Sequence, residues 1–287
     1  DRNLQEQVER LLRQRLSSSK ALGVGEGAVV VLDSRTGGIL ALAGGRDYRQ
    51  SQFNRATMAL RQPGSTFKLI PYLVALERGG KPSDPISCSP LRWRGQSFSS
   101  GCGGNLSLVS AFASSSNTAA LRLAQRVGLD ALVQKARDLG FTSPLAAVPG
   151  LALGQSEVTL LELTAAYAAI ANGGVWHSPN TIRRLTDGEA CSGQSSSQCR
   201  QANAPTTSQA GRRVSSEATA RAMQQLLRAV VQRGTGQMAS LGGQEGGKTG
   251  TTNDSRDLLF VGYEPQRHWV VGIWLGNDDN SPSRASS

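Results

Sequence analysis

Strand-forming stretches sit at the two ends of this chain and helix-forming stretches fill its middle. That order restricts the fold more than any other feature. Near the start, Ala28 to Asp33 is a β-branched, apolar run, followed by a turn at Thr36-Gly37-Gly38 and a second strand, Ile39 to Ala43; together they read as a hairpin. Near the end come three more strand-like segments, 246–252, Leu258 to Tyr263 and Trp269 to Leu275. Between them, helical patterns cover Ser65 to about Arg78, 107–127, 129–138, Thr159 to Ala171, and a stretch opened by Ser216-Glu217 that runs to about Gln232. Pro63-Gly64 breaks the chain before the first of these, and Gly173-Gly174 ends the fourth. Two strands, a helical middle and three strands make one five-stranded antiparallel sheet covered by helices, an α+β fold in which the N- and C-terminal strands are neighbours. Outside this frame, residues 4–16 place Leu4, Val8, Leu11 and Leu12 on one helical face, and 17–27 read as a linker. Residues 81–105 read as an irregular excursion, 187–212 as an exposed low-complexity insertion and the last seven residues as a polar tail.

The 287 residues fit one large domain or two small ones. At 38% hydrophobic and 18% charged the chain is too apolar to be disordered. No apolar run approaches the ~20 residues of a membrane span. The formal charge is +10 and is carried by arginine, since lysine occurs only at Lys20, Lys68, Lys81, Lys135 and Lys248. A basic balance suits anionic neighbours. However, the basic residues are scattered, with no run of five, no zinc-finger spacing and no aromatic-basic RNA motif, so nucleic-acid binding is not the expected role. The cysteines are Cys88, Cys102, Cys191 and Cys199. None forms a C-x-x-C, and only His177 and His268 could join them, so neither zinc nor another metal is expected. Four cysteines allow three pairings; the local one, Cys88–Cys102 with Cys191–Cys199, lies in Ser/Gly-rich segments and suits an oxidising compartment.

Three short motifs carry chemistry. In Ser65-Thr66-Phe67-Lys68, positions i and i+3 of a helix share a face about 5–6 Å apart, so a hydroxyl lies near an amine. A serine is a poor nucleophile until a base takes its proton, and a buried lysine beside another cation can be that base. Ser17 and Lys20 repeat the spacing in a polar stretch, but only Ser65 opens a helix after Pro63-Gly64, where its backbone N–H can face an oxyanion. In Ser115-Ser116-Asn117, a bend between two helical stretches can point a proton-relaying serine and an amide-holding asparagine into one cleft. Ser178-Pro179-Asn180 has the same spacing. In Lys248-Thr249-Gly250-Thr251, glycines at 246, 247 and 250 let a ligand backbone approach, and lysine beside threonine hydroxyls suits a carboxylate. Strict alternation would put Lys248 and Gly250 on one face, with Thr249 and Thr251 on the other.

The ordered set Ser-x-x-Lys, Ser-x-Asn, Lys-Thr-Gly matches a triple found in penicillin-binding proteins and serine β-lactamases. With FNRATMALRQPGSTFK at 53–68, ELTAAYAAIANGG at 162–174, GGKTGTTNDSRDLLFVGY at 246–263 and VVGIWLGNDDN at 270–280, the chain resembles the transpeptidase domain of class A (bifunctional) penicillin-binding proteins from about Val24 to Asn280. The resemblance implies a β-lactamase/transpeptidase-like fold, with an all-helical lobe beside the sheet. It implies Ser65 as acylated nucleophile, Lys68 as its base, and Ser115 and Asn117 as the second catalytic element. Lys248, Thr249, Gly250 and Thr251 would orient the substrate carboxylate, and the N–H groups of Ser65 and Thr251 would form the oxyanion hole. The implied reaction is attack on the D-Ala–D-Ala bond of a peptidoglycan stem peptide, transfer of the acyl group to a neighbouring amine, and inhibition by β-lactams, with no cofactor. The implied partners are stem peptides, lipid-linked precursor strands and other cell-wall synthesis proteins. The implied location is the periplasm, at the outer face of the cytoplasmic membrane. Members of this class usually carry an N-terminal glycosyltransferase domain and a membrane anchor, so residues 1–23 read as the end of a linker. The cysteines are not part of the family pattern.

Related activities share these motifs. A class A β-lactamase needs a Glu-x-x-x-Asn before its Lys-Thr-Gly, and here Glu157 is followed by Leu161 and Glu162 by Ala166. A D,D-carboxypeptidase and a non-catalytic β-lactam sensor are the remaining alternatives.

Overall fold

In the computed structural model, which describes residues 1–99, 102–181 and 210–286, the first strand of the central sheet buries both faces, whereas the last buries one and half-buries the other. In β1 (Glu26–Asp33), Ala28, Val30 and Leu32 enter one core and Val29 and Val31 a second, because successive side chains of a strand point to opposite faces. The other strands are β2 (Ile39–Ala43), β3 (Gly246–Thr251), β4 (Asp257–Glu264) and β5 (Trp269–Gly276), and the sheet order is β2-β1-β5-β4-β3. Every pairing is antiparallel, with β1 against β5 through Val30↔Gly272 and β4 against β3 through Val261↔Lys248. The N- and C-terminal strands are neighbours, as the strand order requires.

One face carries the helical lobe. Its helices are α2 (Leu69–Glu77), α3 (Leu108–Ala113), α4 (Asn117–Val127), α5 (Leu129–Asp138), α6 (Leu160–Ala171) and α7 (Glu217–Arg233). Helix α6 lies on the middle of the sheet, where Gly272 admits it: a Cβ at 272 would sit 2.0 Å from Thr164 Oγ1. Its start is held by a capping box between Thr159 and Glu162. The Glu162 carboxylate also receives Thr142 and Ser143, which hold its pKa below the ordinary value against the opposing pull of burial.

The other face is covered by α1, which runs Arg2–Ser19 rather than 4–16. Its buried apolar positions are Val8, Leu12 and Leu16, one per turn, whereas Leu11 is 55% exposed. The stretch read as a linker begins inside this helix and includes a 3-10 turn, Lys20–Leu22, with β1 starting at Glu26. The Gln5 side chain bonds both the N–H and the C=O of Leu42, closing part of the β2 edge. The C-terminal residues are tied down as well: Ser283 bonds Ser255 and Arg284 bonds Leu22. The excursion at 81–105 contains two short antiparallel ladders, Pro85–Ser87 with Asn105–Ser107 and Leu91–Trp93 with Gln96–Phe98. Most of the 187–212 stretch, with Cys191 and Cys199, lies outside the described residues. Among the described residues no helix is long and apolar enough to cross a membrane.

Candidate active site

The three motifs meet where the edge strand β3 faces the helical lobe. The Ser65 segment is a 3-10 turn, Gly64–Lys68, that leads into α2 rather than a regular helix from its first residue. Gly64 has φ +51°, and a Cβ there would lie 3.0 Å from Thr251 O. A Cβ on Gly250 would lie 2.6 Å from Pro63 O, and one on Gly154 only 2.3 Å from Gly64 O. Three glycines thus let β3, the Ser65 turn and the 149–154 segment touch backbone to backbone. Thr66 Oγ1 donates to Pro63 O and Tyr167 on α6 donates to Thr66 O, each at 2.7 Å. Ser65 itself is half-buried.

The 107–127 stretch is broken between α3 and α4, and the break is the second motif. Ser115 takes φ +57°, a left-handed conformation that L-residues rarely adopt. The backbone holds it there, since Ser115 N donates to Phe112 O and Ser116 N to Ala111 O. The bend aims Ser115 and Asn117 back at α2. Lys68 Nζ donates to Ser115 O and to Asn117 Oδ1, each at 2.5 Å, and lies 3.1 Å from Ser115 Oγ. From the opposite side Lys248 Nζ donates to Ser115 Oγ at 2.9 Å and to Thr249 O at 3.0 Å. One hydroxyl therefore sits between two amines, and all these partners are neutral oxygens.

Both lysines are buried, Lys68 to 1% and Lys248 to 0% exposure. Burial disfavours the charged form and brings Lys68 from lysine's ordinary 10.5 down to about 7. Lys248 is also pushed well down, first by burial and then by the charge of Lys68. Near neutral pH Lys68 is poised between amine and ammonium. Among the described residues the Ser65 hydroxyl makes no hydrogen bond; it lies one turn before Lys68, and the Lys68 amine turns toward Ser115 and Asn117.

The family model of the penicillin-binding protein transpeptidase domain matches residues 27–286. The chain belongs to that family. Penicillin-binding protein 1A of Aquifex aeolicus is 38% identical over 88% of this chain and 34% of its own length, and that of Rickettsia conorii is 34% identical over the same shares. The chain thus spans about a third of the length of these relatives. Among solved structures, penicillin-binding protein 1A of Haemophilus influenzae superposes with a TM-score of 0.75 at 28% identity, over 89% of this chain and 44% of that one. Penicillin-binding protein 3 of Mycobacterium tuberculosis gives 0.81 at 26% identity, over 99% and 74%.

The structure brings Ser65, Lys68, Ser115, Asn117 and Lys248 together, on the turn before α2, the bend and β3. The β3–β4 ladder is unbroken, so Lys248 and Gly250 do share one face. Thr249 lies on the other, with its hydroxyl 2.7 Å from that of Thr235, just past α7. Thr251 is exposed at the strand end, beside Gly64. The repeats of the motifs lie elsewhere: Ser17 bonds Arg13 O on an exposed face of α1, and Asn180 bonds Thr36 O. Cys88 and Cys102 form a disulfide with Cα atoms 5.9 Å apart. Sequence reasoning missed Gly154, Tyr167, Thr235 and Thr118. Their roles are tertiary contacts with distant residues, which leave no local pattern.

Proposed function

We propose that this chain is a peptidoglycan D,D-transpeptidase that works through an acyl-Ser65 intermediate. The observation that carries this reading is the buried Lys68 amine, brought down to about 7 and directed at Ser115 and Asn117 one turn after Ser65. A neutral amine has two N–H bonds, enough for Ser115 O and Asn117 Oδ1, and its lone pair remains for a hydroxyl proton. When substrate fills the cleft, Lys68 takes the Ser65 proton and Oγ attacks the carbonyl carbon of the penultimate D-Ala. Catalytic hydrogen bonds are commonly formed only in that complex. The N–H groups of Ser65 and Thr251, adjacent through Gly64, receive the developing oxyanion. Ser115 passes its proton to the departing D-Ala nitrogen and is reprotonated by the Lys68 ammonium, so the C–N bond breaks and Lys68 is an amine again. Lys248 supplies positive charge toward the terminal carboxylate, with Thr249 and Thr251 alongside. An amine of a neighbouring stem then attacks the ester carbonyl and loses a proton through the same relay, Lys68 returns that proton to Ser65 as the ester C–O bond breaks, and a cross-link remains.

Membership of the transpeptidase family supports an enzyme acting on peptidoglycan, and with it a place at the periplasmic face of the membrane. Glu162 is not available as a β-lactamase base: its carboxylate is occupied with Thr142, Ser143 and Thr159. The test is intact mass after exposure to a penicillin, for this chain and for Ser65→Ala. A stable single adduct on the first and none on the second is the expected result. Rapid drug loss without an adduct points instead to a β-lactamase. Stem-peptide donors with and without an acceptor amine then separate transpeptidation from carboxypeptidation.

A further inference from the structure

The bend that carries Ser115 borders a cavity of about 280 Å³, with residues 114–118 on one side and Ser99 and Cys102 on the other. Packing across that gap does not set the position of a bend whose central residue is in a left-handed conformation. Tethers from the Cys88–Cys102 segment do. On the α4 side, Thr118 is buried to 1% and its hydroxyl donates to the carbonyl of Cys88 at 2.7 Å. The same Thr118 oxygen lies 3.4 Å from Ser116 Oγ, which caps α4 by accepting from Ala119 N. Arg122, one turn further, donates to the carbonyls of Ser89 and Pro90. On the α3 side, the ladder of Pro85–Ser87 with Asn105–Ser107 ends in Ser107, the N-cap of α3. Cys88 N extends that ladder by donating to Gly104 O. The disulfide therefore clamps the open end of a ladder of which one strand leads into α3 and the other ends at Cys88, whose carbonyl is held by α4. Cys88, 0% exposed, is the point where the two tethers join.

We propose that the Cys88–Cys102 disulfide and Thr118 are positioning residues for the catalytic bend, acting through the Cys88 carbonyl to hold Ser115 and Asn117 against Lys68. The proposal rests on reading Ser115 and Asn117 as catalytic. It adds to that reading a covalent support that lies outside the three motifs. A hydroxyl at 118 is required, because a valine there leaves the buried Cys88 carbonyl without its donor. A serine at 118 keeps the donor.

The test compares the chain with Thr118→Val, Thr118→Ser and the double variant Cys88→Ser/Cys102→Ser. It reads acylation by a penicillin, resolved into non-covalent affinity and acylation rate, and hydrogen exchange of the amides at 114–118. Thr118→Val and the double cysteine variant should each slow acylation about tenfold, since displacement of a catalytic group by a fraction of an ångström is costly. Affinity should stay within twofold, and the 114–118 amides should exchange faster. Thr118→Ser should return the rate to within twofold of the parent. Combining Thr118→Val with the double cysteine variant should slow the rate no further, since both act through one contact. An unchanged acylation rate in Thr118→Val, or additive losses in the combined variant, overturns the proposal. If the cysteine variant fails to fold, Thr118→Val, with its disulfide intact, decides alone. If the parent chain is not acylated, the reading of Ser65 fails. Exchange at 114–118 then still decides the tether: faster in Thr118→Val supports it and unchanged overturns it.

Discussion

At the scale of single residues, the site depends on taking charge out of water. A lysine on the surface stays protonated near neutral pH and cannot act as a base. Lys68, buried to 1% exposure with only neutral oxygens around it, is brought down to about 7. Lys248, on the far side of Ser115 Oγ, is pushed well down by burial and then by the charge of Lys68. The sign of the pH dependence follows. Below about 7 Lys68 is an ammonium with no lone pair; above it the amine is free to accept a proton. The second-order rate of Ser65 acylation by a penicillin should therefore rise with pH through about 7 and level off on the alkaline side. Lys68→Arg, which stays protonated throughout, should remove that limb and cut the rate by about 10²-fold or more. A flat profile from pH 6 to 9 in the parent chain would exclude Lys68 as the base. The two lysines could be read from the sequence because lysine is rare among the basic residues. Their lowered pKa values could not, because burial and the distance between them depend on elements far apart in the chain.

At the scale of elements, what matters is where glycine replaces a side chain. Helix α6 crosses the centre of the sheet at Gly272 and holds Tyr167 against the Ser65 turn. Gly272→Val should force α6 away from β5 and destabilise the fold by about 1–3 kcal/mol, the usual cost of overpacking a core. A denaturant titration measures the loss, and acylation should slow with it because the Tyr167 bond to Thr66 O is strained. A variant as stable as the parent would mean that α6 does not set the spacing. The elements themselves follow from local pattern: β-branched runs for β1 and β5, a capping Thr and Glu for α6, a Gly pair after it. The bend between α3 and α4 is legible too, in the Ser114-Ser115-Ser116-Asn117 run, but its left-handed Ser115 is not: Ser115 N bonds back to Phe112 O and the Lys68 amine bonds Ser115 O.

At the scale of the whole molecule, the sheet has two cores, and the second is closed by the N-terminal helix. Val8, Leu12 and Leu16 cover Val29, Val31, Ala41 and Ala43. The amphipathic stretch read at 4–16 is thus the lid of a core, and it extends into the residues read as a linker. The buried positions recur every four residues in a segment whose other faces are charged and solvated, and the sequence pattern alone did not distinguish Leu11 from Leu16. Leu16→Ala should cost about 2–5 kcal/mol, the range for truncating a buried leucine. Leu11→Ala should stay within about 0.5 kcal/mol, as for other surface positions. Thermal melts of the two variants check the contrast, and equal losses would place the helix differently on the sheet.

The order of strands and helices, and the spacing of serine, asparagine and lysine in three short motifs, were set by the sequence itself. Local backbone preference and side-chain period act over a few residues, and chemistry-bearing residues must be present to be used. The tertiary structure alone decided that Lys68 and Lys248 share one hydroxyl and that Thr249 turns to Thr235. It likewise decided that α1 belongs to the core and that Cys88 anchors the bend carrying Ser115. Each of these rests on contacts between residues tens to hundreds of positions apart, and burial, which sets both the pKa values and the packing, exists only once those distant segments have met.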